Sequence, residues 1–128
     1  MVKRILLASV VSLTFFGVPA PAIAHHSANA QFDTFKEFIL TGVLTELVEM
    51  NPHSRWHVDV KAEDGTVTSW ELEGVSPNSL RRAGVRVKDD LKIGGTYSFT
   101  VAPSKDGSKL AFLKAINING RLVQMVAL

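Results

Sequence analysis

The feature that most constrains this chain is a pair of short alternating segments separated by a tight turn. In residues 55–61 apolar and polar side chains alternate strictly, and the same alternation returns in residues 66–73. A period of two is typical of a half-buried β-strand. The intervening Glu63-Asp64-Gly65 has the composition of a hairpin turn. The sequence therefore predicts an antiparallel hairpin with one face packed on a core.

This hairpin also predicts which polar side chains are neighbours. Direct partners on two strands point to the same face, so matching the two apolar faces requires an odd number of loop residues. A three-residue loop places His57 opposite Glu71, and a slip of two residues would place it opposite Glu73. The outward face then carries seven polar side chains: Arg55, His57, Asp59, Lys61, Ser69, Glu71 and Glu73.

A strand is predicted before the hairpin and a short helix after it. Phe38 to Met50 is rich in strand-forming residues, and its period-2 phase breaks near Gly42, where we expect a bulge. Ser76-Pro77 is typical of a helix start, because serine is a preferred N-cap and proline suits the first helical position. Gly84 is expected to end that helix.

Two or three further strands follow the helix. Residues 96–101 alternate, and residues 110–118 are predicted to be a strand with these residues in one phase: Leu110, Phe112, Lys114, Ile116 and Ile118. Asn119-Gly120 is a strong hairpin signal, so Arg121–Val126 is expected to return as an edge strand.

The order of these elements predicts the fold class. Three strands, a helix and then at least two strands is the order of an OB-like Greek-key barrel of five to six strands. The alternative is a small antiparallel sandwich with one incidental helical turn. The length of the chain suits one domain, which we place at residues 37–128. An extended N-terminal arm is predicted to precede it at residues 25–36.

Residues 1–24 have the features of a secretory signal peptide. Lys3 and Arg4 precede an uncharged, mostly apolar run from Ile5 to Val18, and Ala22-Ile23-Ala24 forms an A-x-A cleavage site. The run is shorter than the roughly 20 residues of a membrane span. The mature chain is therefore expected to be periplasmic or secreted, without a membrane span. A second A-x-A site ends at Ala30, and cleavage there would remove His25 and His26.

Composition excludes several classes of function. The chain of 128 residues has no cysteine, which excludes disulfides and thiolate metal sites. The formal charge of +2 is supplied by Lys3 and Arg4, so residues 25–128 are neutral. A neutral domain lacks the positive footprint of a nucleic-acid binder, so no nucleic-acid partner is expected.

Several motifs in order resemble one family of proteins. His25-His26-Ser27 is followed by Asn51-Pro52-His53, then by Trp70 to Gly74, by the helix motif from Ser76 to Gly84, and by Leu91 to Gly95. Together they resemble a family of small exported bacterial proteins whose function is unknown. The resemblance covers most of residues 25–120 and implies an exported, OB-like barrel. It implies no activity, substrate or cofactor.

All four histidines fall in two clusters, His25/His26 and His53/His57. Cleavage after Ala24 would give His25 both an imidazole and a free α-amine, which can chelate one ion as in a copper histidine brace. His26, His53 or His57 could complete a nitrogen-rich site for copper or zinc. These donors bind only after losing protons, so binding should weaken below about pH 6.

Two other hypotheses remain open. A metal-free OB-type module would bind a protein or a small polar ligand on the outward hairpin face, through Arg55, Asp59, Glu71 and Glu73. A small hydrolase would use paired carboxylates among Asp59, Glu71 and Glu73, but the sequence contains no catalytic motif and no insertion that would form a pocket. We therefore expect a non-catalytic binding or accessory protein.

Overall fold

The computed structural model describes residues 28–126. Besides a helical turn at residues 28–31, this part of the chain forms six strands and two short helices. In chain order they are β1 (Phe38–Val48), β2 (Arg55–Lys61), β3 (Val67–Glu73), α1 (Pro77–Arg82), α2 (Val87–Asp90), β4 (Thr96–Pro103), β5 (Leu110–Ile118) and β6 (Arg121–Gln124).

The strands close into the predicted barrel. Their order in the sheet is β3-β2-β1-β4-β5-β6, and a parallel pairing of β3 with β5 closes the first five strands. The edge of β5 that faces away from β4 is divided between two partners: residues 110–112 pair with β3, and residues 115–118 pair with β6. This is the five-stranded topology of an OB-like Greek-key barrel with one added strand. The sandwich alternative is excluded.

The hairpin of β2 and β3 has the predicted register. His57 pairs with Glu71, and the side chains of Trp56, Val58 and Leu72 are completely buried in the barrel. At the turn, the Thr66 backbone N–H donates to Asp64 Oδ1 at 2.9 Å. This hydrogen bond to the ionised carboxylate lowers the pKa of Asp64.

The bulge in β1 lies further along the strand than predicted. The period-2 phase continues through Gly42, which is buried, and the register shifts between Leu44 and Glu46 instead. Position 42 requires a glycine because a Cβ there would lie 2.6 Å from the Asp59 carbonyl oxygen. A glycine at this position therefore marks the close approach of β2 and not a break in the strand.

The prediction of one phase along β5 is wrong because this strand also contains a bulge. Val101 pairs with Leu113 and Thr100 with Ala115, so Lys114 has no partner in β4. The extra residue reverses the faces. Leu113 and Ile116 both reach the barrel core, whereas Phe112 belongs to a separate apolar cluster outside it.

A second helix follows the predicted one. Helix α1 begins after the N-cap Ser76, whose Oγ accepts from the Ser79 N–H, and is followed by Gly84 with φ +87°. Helix α2 was not predicted, because it has only four residues and no side-chain cap. Leu80 of α1 is completely buried in the barrel core.

The N-terminal part of the described chain differs from the predicted extended arm. Residues 28–31 form a helical turn, in which the Phe32 N–H donates to the Ala28 carbonyl. Phe32 is 1% exposed and bridges to Ser104. The described part of the arm is therefore packed on the barrel. The predicted signal peptide and the His25-His26 pair lie outside the described residues.

Within residues 28–126, no helix has the length and apolar character needed to cross a membrane.

Candidate functional site

The first candidate site is the outward surface of the β2–β3 hairpin. We call it the strand face, and it comprises the side chains of Arg55, His57, Asp59, Lys61, Ser69, Glu71 and Glu73. The pairings of β2 with β3 bring these predicted residues together on one surface. They are half-buried or exposed.

Ion pairs and hydrogen bonds, some of them to residues outside the strand face, occupy most of its charged groups. Arg55 Nη1 lies 2.8 Å from Glu71 Oε1, and Ser69 Oγ donates to Asp59 Oδ1 at 2.5 Å. His57 Nε2 lies 3.7 Å from an oxygen of Glu46 on β1. Because solvent weakens these contacts, a ligand that replaced them with similar ones would gain little binding free energy on the strand face.

The second candidate site is a groove at one end of the barrel, with a volume of about 830 Å³. Five separate parts of the chain line it. They are the N-terminal segment (Ala28, Asn29, Thr34, Phe35), the entry to β2 (Pro52, His53), the entry to α1 (Val75, Ser76, Ser79), β5 (Phe112, Lys114) and the segment after β6 (Met125, Val126). We call it the end groove.

The N-terminal wall of the end groove is fixed to the barrel at several points. Phe32 packs against Phe112 with 5.6 Å between ring centroids. The Asp33 N–H donates to the Pro103 carbonyl, and the Lys105 N–H donates to the Gln31 carbonyl. Phe35, by contrast, is 98% exposed. The wall therefore combines a buried aromatic anchor with an exposed aromatic side chain that lines the groove.

A buried cation contributes to the same groove. Lys114 sits at the β5 bulge and is only 4% exposed. Its Nζ donates to the Thr34 carbonyl at 3.2 Å and forms an ion pair with Glu37. Both acceptors come from the segment that precedes β1, so this lysine also ties that segment to the barrel.

A buried serine joins the entry of β2 to the entry of α1. Ser54 Oγ accepts from the Trp56 indole N–H at 2.9 Å and donates to the Val75 carbonyl at 2.7 Å. The backbone of Gly74 packs closely here, since a Cβ on it would lie 2.6 Å from Ser54 Oγ. These contacts hold the neighbouring His53 beside the helix entry.

His53 has the geometry of an oriented imidazole. Its Nδ1 lies 2.5 Å from Glu73 Oε1. This close contact holds the ring of His53 against the carboxylate of Glu73. Because Nδ1 faces Glu73, Nε2 is the ring nitrogen that remains to bind an ion, and a carboxylate placed in this way typically orients a metal-binding histidine.

The two described histidines are not brought to a common site. His53 contacts Glu73 and lines the end groove, whereas His57 lies on the strand face near Glu46. Across residues 28–126, no group of three or more histidine and carboxylate side chains is placed to hold a metal ion.

Sequence reasoning missed most of the end groove. Lys114 was the available signal, since a charged residue in an otherwise apolar run within a strand indicates a special environment. Phe35, Ser79 and Phe112 gave no comparable signal, because they become neighbours only when five remote segments meet at one end of the barrel.

The topology defines the class of protein as a small OB-like β-barrel. The profile of a family of unknown function, DUF6152, matches residues 14–113, so the chain belongs to that family. The predicted family resemblance and its implied fold are therefore confirmed. Export remains a prediction.

Two further comparisons add little. No curated protein matches the chain significantly. Among solved structures, the chain is similar to the mitochondrial single-stranded DNA binding protein Rim1 from S. cerevisiae, with 14% identity and a TM-score of 0.45. That match covers 66% of this chain and 94% of the Rim1 chain. At this level of similarity it carries no argument about ligands, and the expectation that no nucleic acid is bound stays a prediction.

Proposed function

We propose that the protein is an exported, non-catalytic binding protein that holds one copper or zinc ion at the end groove. In this proposal His53 supplies one ligand, and the N-terminal His25 and His26 supply the others. The observation that carries it is the contact of 2.5 Å between His53 Nδ1 and Glu73 Oε1, which orients the imidazole and leaves Nε2 as the donor.

Chain connectivity supports a shared site. Ala28 lines the same groove as His53, and His25 precedes Ala28 by three residues. Three residues span at most about 10 Å, which is within reach of the groove. Cleavage after Ala24 would add the α-amine of His25 to the donor set. Imidazole and amine nitrogens suit Cu(II) and Zn(II).

The remaining alternatives have weaker support. The strand face, with Arg55, Asp59 and Glu71, is engaged in its own ion pairs and hydrogen bonds. The hydrolase hypothesis needs two carboxylates that face one cleft, whereas Asp59 and Glu71 lie on the strand face and no carboxylate is among the described residues that line the end groove. A metal-free binding module remains the outcome if no ion binds.

The test is native mass spectrometry of the untagged protein exported to a bacterial periplasm, before and after addition of one equivalent of copper or zinc. The proposal predicts a chain that starts at His25 and carries one ion. Glu73→Gln should weaken binding about tenfold or more, as loss of an orienting carboxylate does. Glu71→Gln is the matched control and should leave affinity unchanged.

Two results would contradict the proposal. A chain that starts at Gln31 has lost His25 and His26 and cannot form the site. A chain that starts at His25 and remains free of metal after copper and zinc addition would leave the metal-free module.

A further inference from the structure

The end groove has the dimensions and the lining of a small-molecule site. Its volume of about 830 Å³ lies within the roughly 300–1,000 Å³ of typical ligand pockets. Apolar side chains form most of its wall, among them Phe35, Val75, Phe112, Met125 and Val126. A wall of this kind favours a ligand with an apolar chain or ring.

The charge of the lining limits the ligand further. Lys114 and His53 are the basic side chains among the described residues of the groove wall, and no Asp or Glu belongs to that wall. The carboxylates that pair with these two groups, Glu37 and Glu73, are placed outside the lining. The Lys114 ammonium is therefore the standing charge of the described groove wall, and an anionic ligand would meet a complementary group there.

Lys114 has capacity for one more partner. An ammonium group carries three N–H donors, and the structure gives Lys114 two acceptors, the Thr34 carbonyl and Glu37. The Glu37 side chain is 39% exposed, so water already shares its carboxylate. A ligand anion can accept the third N–H in a site where the surrounding protein excludes most water, which strengthens the contact.

We propose that the end groove binds a small amphipathic anion, in which an apolar chain or ring packs between Phe35, Phe112 and Val126 and a carboxylate or sulfonate accepts from Lys114. This inference needs no metal ion. It rests on the groove wall and Lys114, whereas the proposed metal site rests on His53 and the N-terminal histidines.

The experiment uses the exported protein in the presence of EDTA, which removes copper and zinc. The result for the anion is therefore independent of whether the metal proposal is correct. Saturable fluorescence enhancement of 8-anilinonaphthalene-1-sulfonate gives the affinity for an aromatic anion. Displacement by decanoate, decylamine and 1-decanol, below their aggregation concentrations, compares anionic, cationic and neutral ligands of equal chain length. We expect one site per chain, with decanoate at least about fivefold tighter than decylamine.

Two pairs of variants separate the roles of charge and shape. Lys114→Met should weaken decanoate about tenfold, the equivalent of one charge-assisted hydrogen bond, and leave 1-decanol within twofold. Lys61→Met, on the strand face, should change neither. Val126→Glu places an anion in the groove wall and should weaken decanoate strongly, whereas Leu122→Glu, at a side chain that is 63% exposed outside the groove, should not.

Several outcomes would overturn the inference. These are the absence of saturable binding, equal affinity for decanoate and decylamine, equal losses of decanoate and 1-decanol affinity in Lys114→Met, and equal effects of Val126→Glu and Leu122→Glu. If Lys114→Met does not fold, the Val126 and Leu122 pair still decides the matter.

Discussion

The strand face and the end groove are built in opposite ways. On the strand face, exposed charges of both signs pair with one another along two adjacent strands, as Arg55 does with Glu71. In the end groove, one buried cation lies in a wall that is mostly apolar. An open surface of solvated charges buries little of a ligand, whereas an apolar groove with few polar groups is the usual form of a binding site.

The two regions should also differ in how strongly the fold depends on them. Contacts of the strand face are exposed and replaceable by water, while the groove wall is anchored by buried aromatic and hydroxyl groups. Four measurements would sharpen or break this comparison.

The largest effect is expected at the aromatic anchor of the groove. Phe32→Ala should lower the free energy of unfolding by about 3 kcal/mol or more, because it removes a buried aromatic ring and leaves a cavity against Phe112. Urea denaturation would measure the change. Phe35→Ala is the control, since this ring is 98% exposed and should change stability by less than about 0.5 kcal/mol. Equal effects would show that the N-terminal segment is not anchored through Phe32.

A second large effect is expected at Ser54. Ser54→Ala should cost about 2 kcal/mol, because the buried Trp56 indole N–H then has no acceptor in this network. The comparison is Ser69→Ala on the strand face, whose hydroxyl donates to Asp59 at an exposed site and should contribute less than about 1 kcal/mol. Thermal and urea unfolding of both variants would test this order, and a larger loss at Ser69 would reverse it.

The strand face itself should give a small coupling energy. A double-mutant cycle with Arg55→Ala and Glu71→Ala is expected to yield less than about 1 kcal/mol, since both side chains are partly solvated. The coupling should fall further in 1 M salt. A coupling of several kcal/mol that resists salt would mean that this pair is part of a protected site.

The smallest effect concerns Asp106, in the loop that supports the N-terminal wall. Hydrogen bonds from Ser108 and Ser104 lower the pKa of Asp106 from 3.8 to about 2. Because the pKa of Asp106 is lower in the folded state, its ionised carboxylate stabilises the protein above pH 3.8. This stabilisation is lost as the pH falls towards 2. Asp106→Asn should therefore lower the Tm slightly at neutral pH. The difference from wild type should shrink in acid, and a difference that grew in acid would contradict the assignment.

The regular parts of this molecule were predictable from sequence because their signals are local. Alternation and turn composition predicted the β2–β3 register down to the pairing of His57 with Glu71. The N-cap at Ser76 and the Asn119-Gly120 turn were predictable for the same reason.

The irregular parts depend on contacts between remote residues. The bulge at Lys114 is not visible in the pattern of β5, because the burial of this lysine depends on Glu37 and Thr34 from another part of the chain. Gly42 suggested a bulge, yet it serves the close approach of β2. The end groove combines five such segments. The sequence therefore predicted His53 as a candidate metal ligand but did not predict the residues that surround it.

The most direct test of the account compares two histidines. Copper affinity of the exported protein would be measured by competition with a chelator for wild type, His53→Ala and His57→Ala. The account predicts at least a tenfold loss for His53→Ala, because a ligand of the groove site is removed, and an unchanged affinity for His57→Ala on the strand face. Equal affinities for wild type and His53→Ala, or a loss confined to His57→Ala, would contradict the claim that the end groove is the binding site.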